Sequence, residues 1–118
     1  MEFTINFLHL FFYVLYLFSP LLFFLLFIII LLGQIVGKKE NWDWVDSIYW
    51  SLITSTTVGY GDIKPTRKLS KTLAVFIAFI GLIFTGIIVS IAIYTAKEVI
   101  YAQQDLQIIR KTIDTIAE

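Results

Sequence analysis

An all-α membrane protein, with two membrane-crossing helices and a short re-entrant helix and loop between them, is the fold this sequence predicts. Three observations carry that expectation. Of 118 residues, 58% are hydrophobic and 15% charged, and the mean hydropathy is +0.85, whereas a soluble domain carries about a quarter charged residues. The charges are also bunched, with none in residues 3–37 or 72–96; each gap exceeds the roughly 20 apolar residues that cross a bilayer. Between the gaps, residues 46–56, "DSIYWSLITST", are too few to span and too apolar for a surface loop. Such a length suggests a re-entrant segment.

The first charge-free stretch is too long for one simple span. Ser19-Pro20 divides it, reading as an N-cap followed by proline at the first helical position. Upstream, Glu2, Asn6, His9, Tyr13 and Tyr16 recur at spacings of 3 and 4, opposite Phe3, Phe7, Leu10, Phe11, Val14 and Phe18. Residues 1–19 therefore read as an amphipathic, aromatic-rich helix lying in the membrane interface, with a single bent helix or an extra short span as alternatives. Residues 20–37 are the first clear span, reaching roughly 25 Å. "GKKENWDWVD" then returns to water, with Trp42 and Trp44 placed for an interfacial belt.

The short helix over 46–56 takes Asp46 or Ser47 as its cap. "TTVGYGD" follows, then the plainly aqueous "IKPTRK". Residues 72–96 form the second span, roughly 37 Å long and so expected to tilt. In residues 97–118, Val99, Leu106 and Ile113 fall seven apart, as do Ala102, Ile109 and Ile116. These are a and d positions of three heptads. The tail reads either as a helix continuing into a bundle of identical chains or as a linker to a missing C-terminal regulatory domain.

Several classes are disfavoured. Zero net charge gives no pointer to nucleic acid. The absence of cysteine removes disulfides and thiolate metal sites. One histidine and no clustered carboxylates leave nothing to run acid–base or metal chemistry, so no enzyme and no cofactor are expected. "GYGD" lacks the lysine and spacing of a phosphate loop. "MEFTINF" has no basic n-region and no A-x-A site follows, so a cleavable signal peptide is not expected.

Irregular backbone at membrane depth is tolerated only when buried in protein or lining a watery cavity. A re-entrant helix followed by Thr57-Val58-Gly59-Tyr60-Gly61-Asp62, flanked by two spans, resembles the two-transmembrane potassium channels, over roughly residues 20–96. Their TVGYG loop is the known potassium selectivity filter. The resemblance implies a pore domain of outer helix 20–37, pore helix 46–56, filter 57–62 and inner helix 72–96, repeated four times around an axis as a homotetramer. It implies ion sites made by the carbonyls of Thr57, Val58, Gly59 and Tyr60 with the Thr57 hydroxyl, the permeant potassium ion being the ligand. Gly59 and Gly61 supply the positive φ that such a run of carbonyls needs.

By the same resemblance, Gly61 and Asp62 support the filter, with Tyr49 as partner of Asp62 and Trp50 as partner of Tyr60. Gly81 matches the position where the family's inner helices bend and reads as a gating hinge, with close helix packing as the alternative, while Leu82 and Thr85 line the cavity. Gly86 and Ser90 read as small residues for helix packing, and Ile93 and Lys97 lie where inner helices would converge. Ile53 stands where some prokaryotic members carry a glutamate that pairs with the aspartate after the filter, so inactivation governed by that pair is expected to be weak. Lys38, Lys39, Lys64, Arg67, Lys68 and Lys71 are external in the family's orientation, against the positive-inside rule, and Lys64 implies poor external tetraethylammonium block. No arginine-rich helix precedes the pore, so steep voltage sensing has no visible carrier. The implied protein is a multi-pass cell-membrane channel for potassium. A non-selective cation channel of the same fold and a non-conducting membrane scaffold are the competing readings.

Overall fold

Three helices carry nearly all of the chain in the computed structural model, which describes residues 1–118. They are α1 (Glu2–Glu40), α2 (Trp44–Ser55) and α3 (Lys68–Ala117). At 1.5 Å per residue, α1 and α3 extend roughly 58 and 75 Å, and α2 about 18 Å. Both long helices are apolar enough to cross a membrane, and only 11% and 17% of their most apolar windows are buried within the chain. Helices that were the core of a soluble fold would hide those faces. Here they are left for lipid or for other copies.

α1 departs from the expected division at Ser19-Pro20, because the helix runs through Pro20 without interruption. Proline removes one backbone bond and crowds the preceding turn. Unwinding in an apolar setting would strip several more groups of partners, so continuity is the smaller loss. The helix ends where Asn41 adopts a left-handed φ of 61° and Trp42 N–H donates to Gly37 O at 2.9 Å. That 6→1 bond is a Schellman stop. It places Lys38 and Lys39 in the last turn, beside the negative end of the helix dipole.

α2 begins at Trp44, two residues before the expected start at 46. Asp43, rather than Asp46 or Ser47, is its N-cap, with Oδ1 accepting from Asp46 N–H at 2.7 Å. α3 likewise starts at Lys68, four residues before the expected 72, and continues past 96 to Ala117 with no break.

The chain divides into two compact units. One is Ser19–Ile87, which holds the end of α1, all of α2, the loop and the start of α3. Its core is Ile29, Val36, Trp50 and Ile77, with Trp42, Ile63, Leu73 and Ile80 packed against it. The other joins Met1–Phe18 to Ile88–Glu118. In it, Ile91, Thr95 and Val99 are buried on one side of α3. Phe7, Leu10, Phe11 and Val14 are the less exposed side of α1, and the rings of Phe3, Phe7 and Phe11 stack at 6.2 and 5.8 Å. The polar residues of the predicted stripe are exposed, and so are Phe3 and Phe18 of the face opposite.

Candidate functional site: the loop after the short helix

What seats α2 is a row of small residues. Ser47, Ser51 and Ser55 stand four apart and are all but fully buried. Opposite them, α1 presents Gly33 and Gly37, and α3 presents Gly81. A Cβ at Gly33 would lie 2.8 Å from Ser51 Cβ, and one at Gly37 would lie 2.8 Å from Ser47 Cβ. One at Gly81 would overlap the backbone of Ser55, 2.6 Å from its Cα. The serine hydroxyls do not need partners across the contact. Ser47 Oγ donates to Asp43 O at 2.8 Å, Ser51 Oγ to Ser47 O at 2.6 Å, and Ser55 Oγ to Leu52 O at 3.1 Å. Self-satisfied serines behave as small residues, and backbones can approach closely. The sequence carries this signal as two matching i, i+4 patterns, Gly33 with Gly37 and Ser47 with Ser51 and Ser55.

Gly81, expected as a hinge with close packing as the alternative, is a packing contact in this structure. The residue is buried mid-helix against the end of α2, and its missing side chain is what admits that contact. Gly86, assigned to packing, has nothing near its absent Cβ within the chain, and Ser90 is exposed.

The loop leaves the end of α2 under firm control. Four carbonyls at a helix C-terminus lack intrahelical partners. Here the Leu52 carbonyl accepts from Thr56 N–H at 3.1 Å and Thr56 Oγ1 at 2.7 Å, that of Thr54 from Thr57 N–H at 3.2 Å, and that of Ile53 from Gly59 N–H at 3.1 Å. The first residues of the loop are thereby tied to the helix. Thr57, Gly59 and Gly61 take φ of 66°, 56° and 83°, while Val58 and Tyr60 do not enter that region. Backbone that alternates in handedness gathers its N–H groups on one side and its carbonyls on the other. Gly59 and Gly61 were expected to do this; Thr57 was not. A β-branched residue there costs roughly 1–3 kcal/mol, and such strain persists only where surrounding bonds impose it.

At the far end of the loop, Tyr49 Oη donates to Asp62 Oδ2 at 3.0 Å, bringing together the two residues paired from the sequence. Trp50 and Tyr60 are not brought together within the chain. Trp50 is buried with its ring centroid 5.2 Å from that of Trp42, whereas Tyr60 is 73% exposed. Trp50 therefore anchors α2 in its own chain's core and does not brace its own Tyr60. Leu82 and Thr85 are both exposed on α3.

A further contact closes the frame around the loop. The carboxylate of Glu40, at the end of α1, accepts from Thr66 N–H at 2.7 Å, Thr66 Oγ1 at 2.8 Å and Arg67 N–H at 2.9 Å. Thr66 and Arg67 immediately precede α3, so an anion from one helix caps the positive end of another. The Arg67 N–H chiefly, then the Thr66 hydroxyl and N–H, hold the Glu40 carboxyl down at about 2, against the opposing effect of lost hydration. No local pattern announces this bond, because its partners are 26 and 27 residues apart.

A short helix seated by small residues, ending in a loop of alternating handedness and framed by two apolar helices, defines a pore-loop membrane protein. The chain belongs to the ion channel family, whose profile matches residues 4–97. It is similar to TWiK family of potassium channels protein 7 of Caenorhabditis elegans, with 28% identity over 85 residues, covering 71% of this chain and 15% of that protein. Two pore potassium channel a of Oryza sativa subsp. japonica is 37% identical over 75 residues, covering 56% of this chain and 21% of the relative. A voltage-gated potassium channel of Aeropyrum pernix is 35% identical over 37 residues, covering 31% and 12%. The chain thus spans about a fifth or less of the length of these curated relatives. No solved structure matches it.

Proposed function

We propose that this chain forms a potassium-selective pore, conducting passively across the cell membrane as a homotetramer. The observation that carries the proposal is the TVGYG loop with left-handed φ at Thr57, Gly59 and Gly61, tied to the C-terminal end of α2. A potassium ion gives up its water only where oxygens replace that shell at little loss. Carbonyls of Thr57, Val58, Gly59 and Tyr60, with the Thr57 hydroxyl, would offer such oxygens, and the left-handed φ at Thr57, Gly59 and Gly61 supports that reading. The names of the similar potassium channels support the same ion.

One loop cannot encircle an ion, so four copies around a cyclic axis are part of the proposal. The exposure of Val58 at 51%, Tyr60 at 73% and Leu82 at 53% in the single chain agrees with surfaces reserved for neighbouring copies. In that assembly the Tyr60 ring packs against a neighbouring copy, and Leu82 and Thr85 face the shared cavity. The negative ends of four α2 dipoles near Thr56 point toward it and favour a cation at mid-membrane without a fixed charge. Beyond the permeant ion no cofactor is invoked.

Purified protein in liposomes, tested with opposed potassium and sodium gradients, decides the matter. Bi-ionic reversal potentials near the potassium limit are expected. Equal permeabilities would establish the non-selective cation channel instead. Absence of flux from correctly assembled protein would leave the membrane scaffold.

A further inference from the structure

The last turns of α3 carry an apolar stripe that nothing in the chain covers. Val99 is the final buried position, at 5% exposure, and no residue from Ile100 onward is buried. Yet Leu106, Ile109, Ile113 and Ile116 are 60%, 53%, 59% and 78% exposed on a continuous helix. With Ala102 they make an unbroken a/d seam, leucine then isoleucine at a and isoleucine at d. Two-stranded coils favour β-branched residues at a with leucine at d; leucine at a with isoleucine at d shifts preference to higher order.

The flanking charges fit one arrangement. With Leu106 at a, Asp105 falls at g and Arg110 at the following e, the two positions that meet between neighbouring parallel, in-register helices. Along a single helix, residues five apart do not face each other. Asp105 and Arg110 can therefore meet each other only between chains, while Arg110 also has Asp114 four residues on along its own helix.

We propose that residues 102–117 form a parallel, in-register, four-stranded coiled coil with three further copies of this chain. Its core is Leu106, Ile109, Ile113 and Ile116, and its alignment is set by a ring of Asp105–Arg110 pairs between neighbouring chains. The assignment deepens the homotetramer reading but draws on none of the residues of the loop. On this assignment the segment is an assembly element, whatever follows it in a longer chain.

The chain contains no cysteine, so single thiols can be introduced cleanly into all 118 residues of it. Under mild oxidation in detergent, Leu106→Cys is expected to couple into disulfide dimers, because neighbouring a positions come within bonding reach. Gln104→Cys, on the outer f position, is expected to remain monomeric on a denaturing gel. Separately, Asp105→Arg and Arg110→Asp should each lower the melting temperature of the assembly, and the double exchange should restore it.

Coupling equal at both cysteines, or no coupling and no rescue in a protein that is still a tetramer by native mass, would overturn the coil while leaving the pore reading intact. Coupling in an assembly of any number other than four would overturn the four-stranded assignment and the pore together. Coil results as expected but without potassium flux would sustain the coil and sink conduction alone.

Discussion

Gly81 touches the backbone of Ser55, and a single methyl there has no flexible neighbour to displace. Gly81→Ala is expected to destabilise the folded protein by about 1–3 kcal/mol or more, as overpacking against rigid backbone does. The loss should appear as a lower melting temperature and reduced conduction together. Gly86→Ala, with open space around it, is expected to leave stability nearly unchanged. A Gly81→Ala protein of normal stability that differs only in open probability would restore the hinge reading. Tyr49 and Asp62 pose a second test at this scale. Tyr49→Phe removes the 3.0 Å bond that steadies the outer end of the loop. It is expected to hasten loss of conduction in sustained recordings while leaving ion preference, which the proposed function assigns to backbone oxygens, in place. An unaltered time course would show that the loop does not depend on this bond.

At the scale of elements, the seat of α2 is tested by exchanging partners. Gly33→Ala should cost about 1–3 kcal/mol through its collision with Ser51. Ser51→Gly in the same chain should recover much of it, leaving a coupling energy in the double-mutant cycle. Independent, additive effects would mean that the two helices do not meet there. The tie from α1 to α3 through Glu40 has a pH signature. The folded carboxyl sits at about 2, below its usual 4.5. Its contribution is therefore complete above about 4.5, declines as pH falls between about 4.5 and about 2, and is absent below. Glu40→Gln is expected to melt at lower temperature than the parent at neutral pH. That gap should be constant down to about 4.5 and close by about 2. A gap insensitive to pH over this window would remove the carboxylate from the account.

For the whole molecule, electrostatics at the mouth follows from Lys38, Lys64, Arg67, Lys68 and Lys71, all exposed and all on the segment that surrounds the loop. In the proposed tetramer these charges would repel entering cations at low salt and be screened at high salt, where the Debye length falls to about 3 Å at 1 M. Lys64→Gln should raise single-channel conductance in dilute potassium chloride, with the gain fading as salt rises. A gain independent of salt would point to a steric cause instead.

How much of this was legible beforehand depended on the range of the forces involved. Charge-free stretches of sufficient length fixed α1 and α3 as apolar helices, since lipid leaves backbone no other economical way to satisfy itself. The order span, short helix, glycine-containing loop, span named the site, and Tyr49 with Asp62 was within reach because α2 and the loop are adjacent in sequence. What escaped was decided across gaps. Glu40 finds Thr66 and Arg67 only once both helices are packed, Pro20 is overruled by its surroundings, and Thr57 is bent by bonds from the end of α2. Whether Gly81 is a pivot or a socket likewise depends on what stands opposite it. Local chemistry set the identity of the elements and of the loop, because turn propensity and hydration act within a few residues. Tertiary packing alone settled which small residues are contacts and which remain bare, because steric fit exists only between surfaces that have already met.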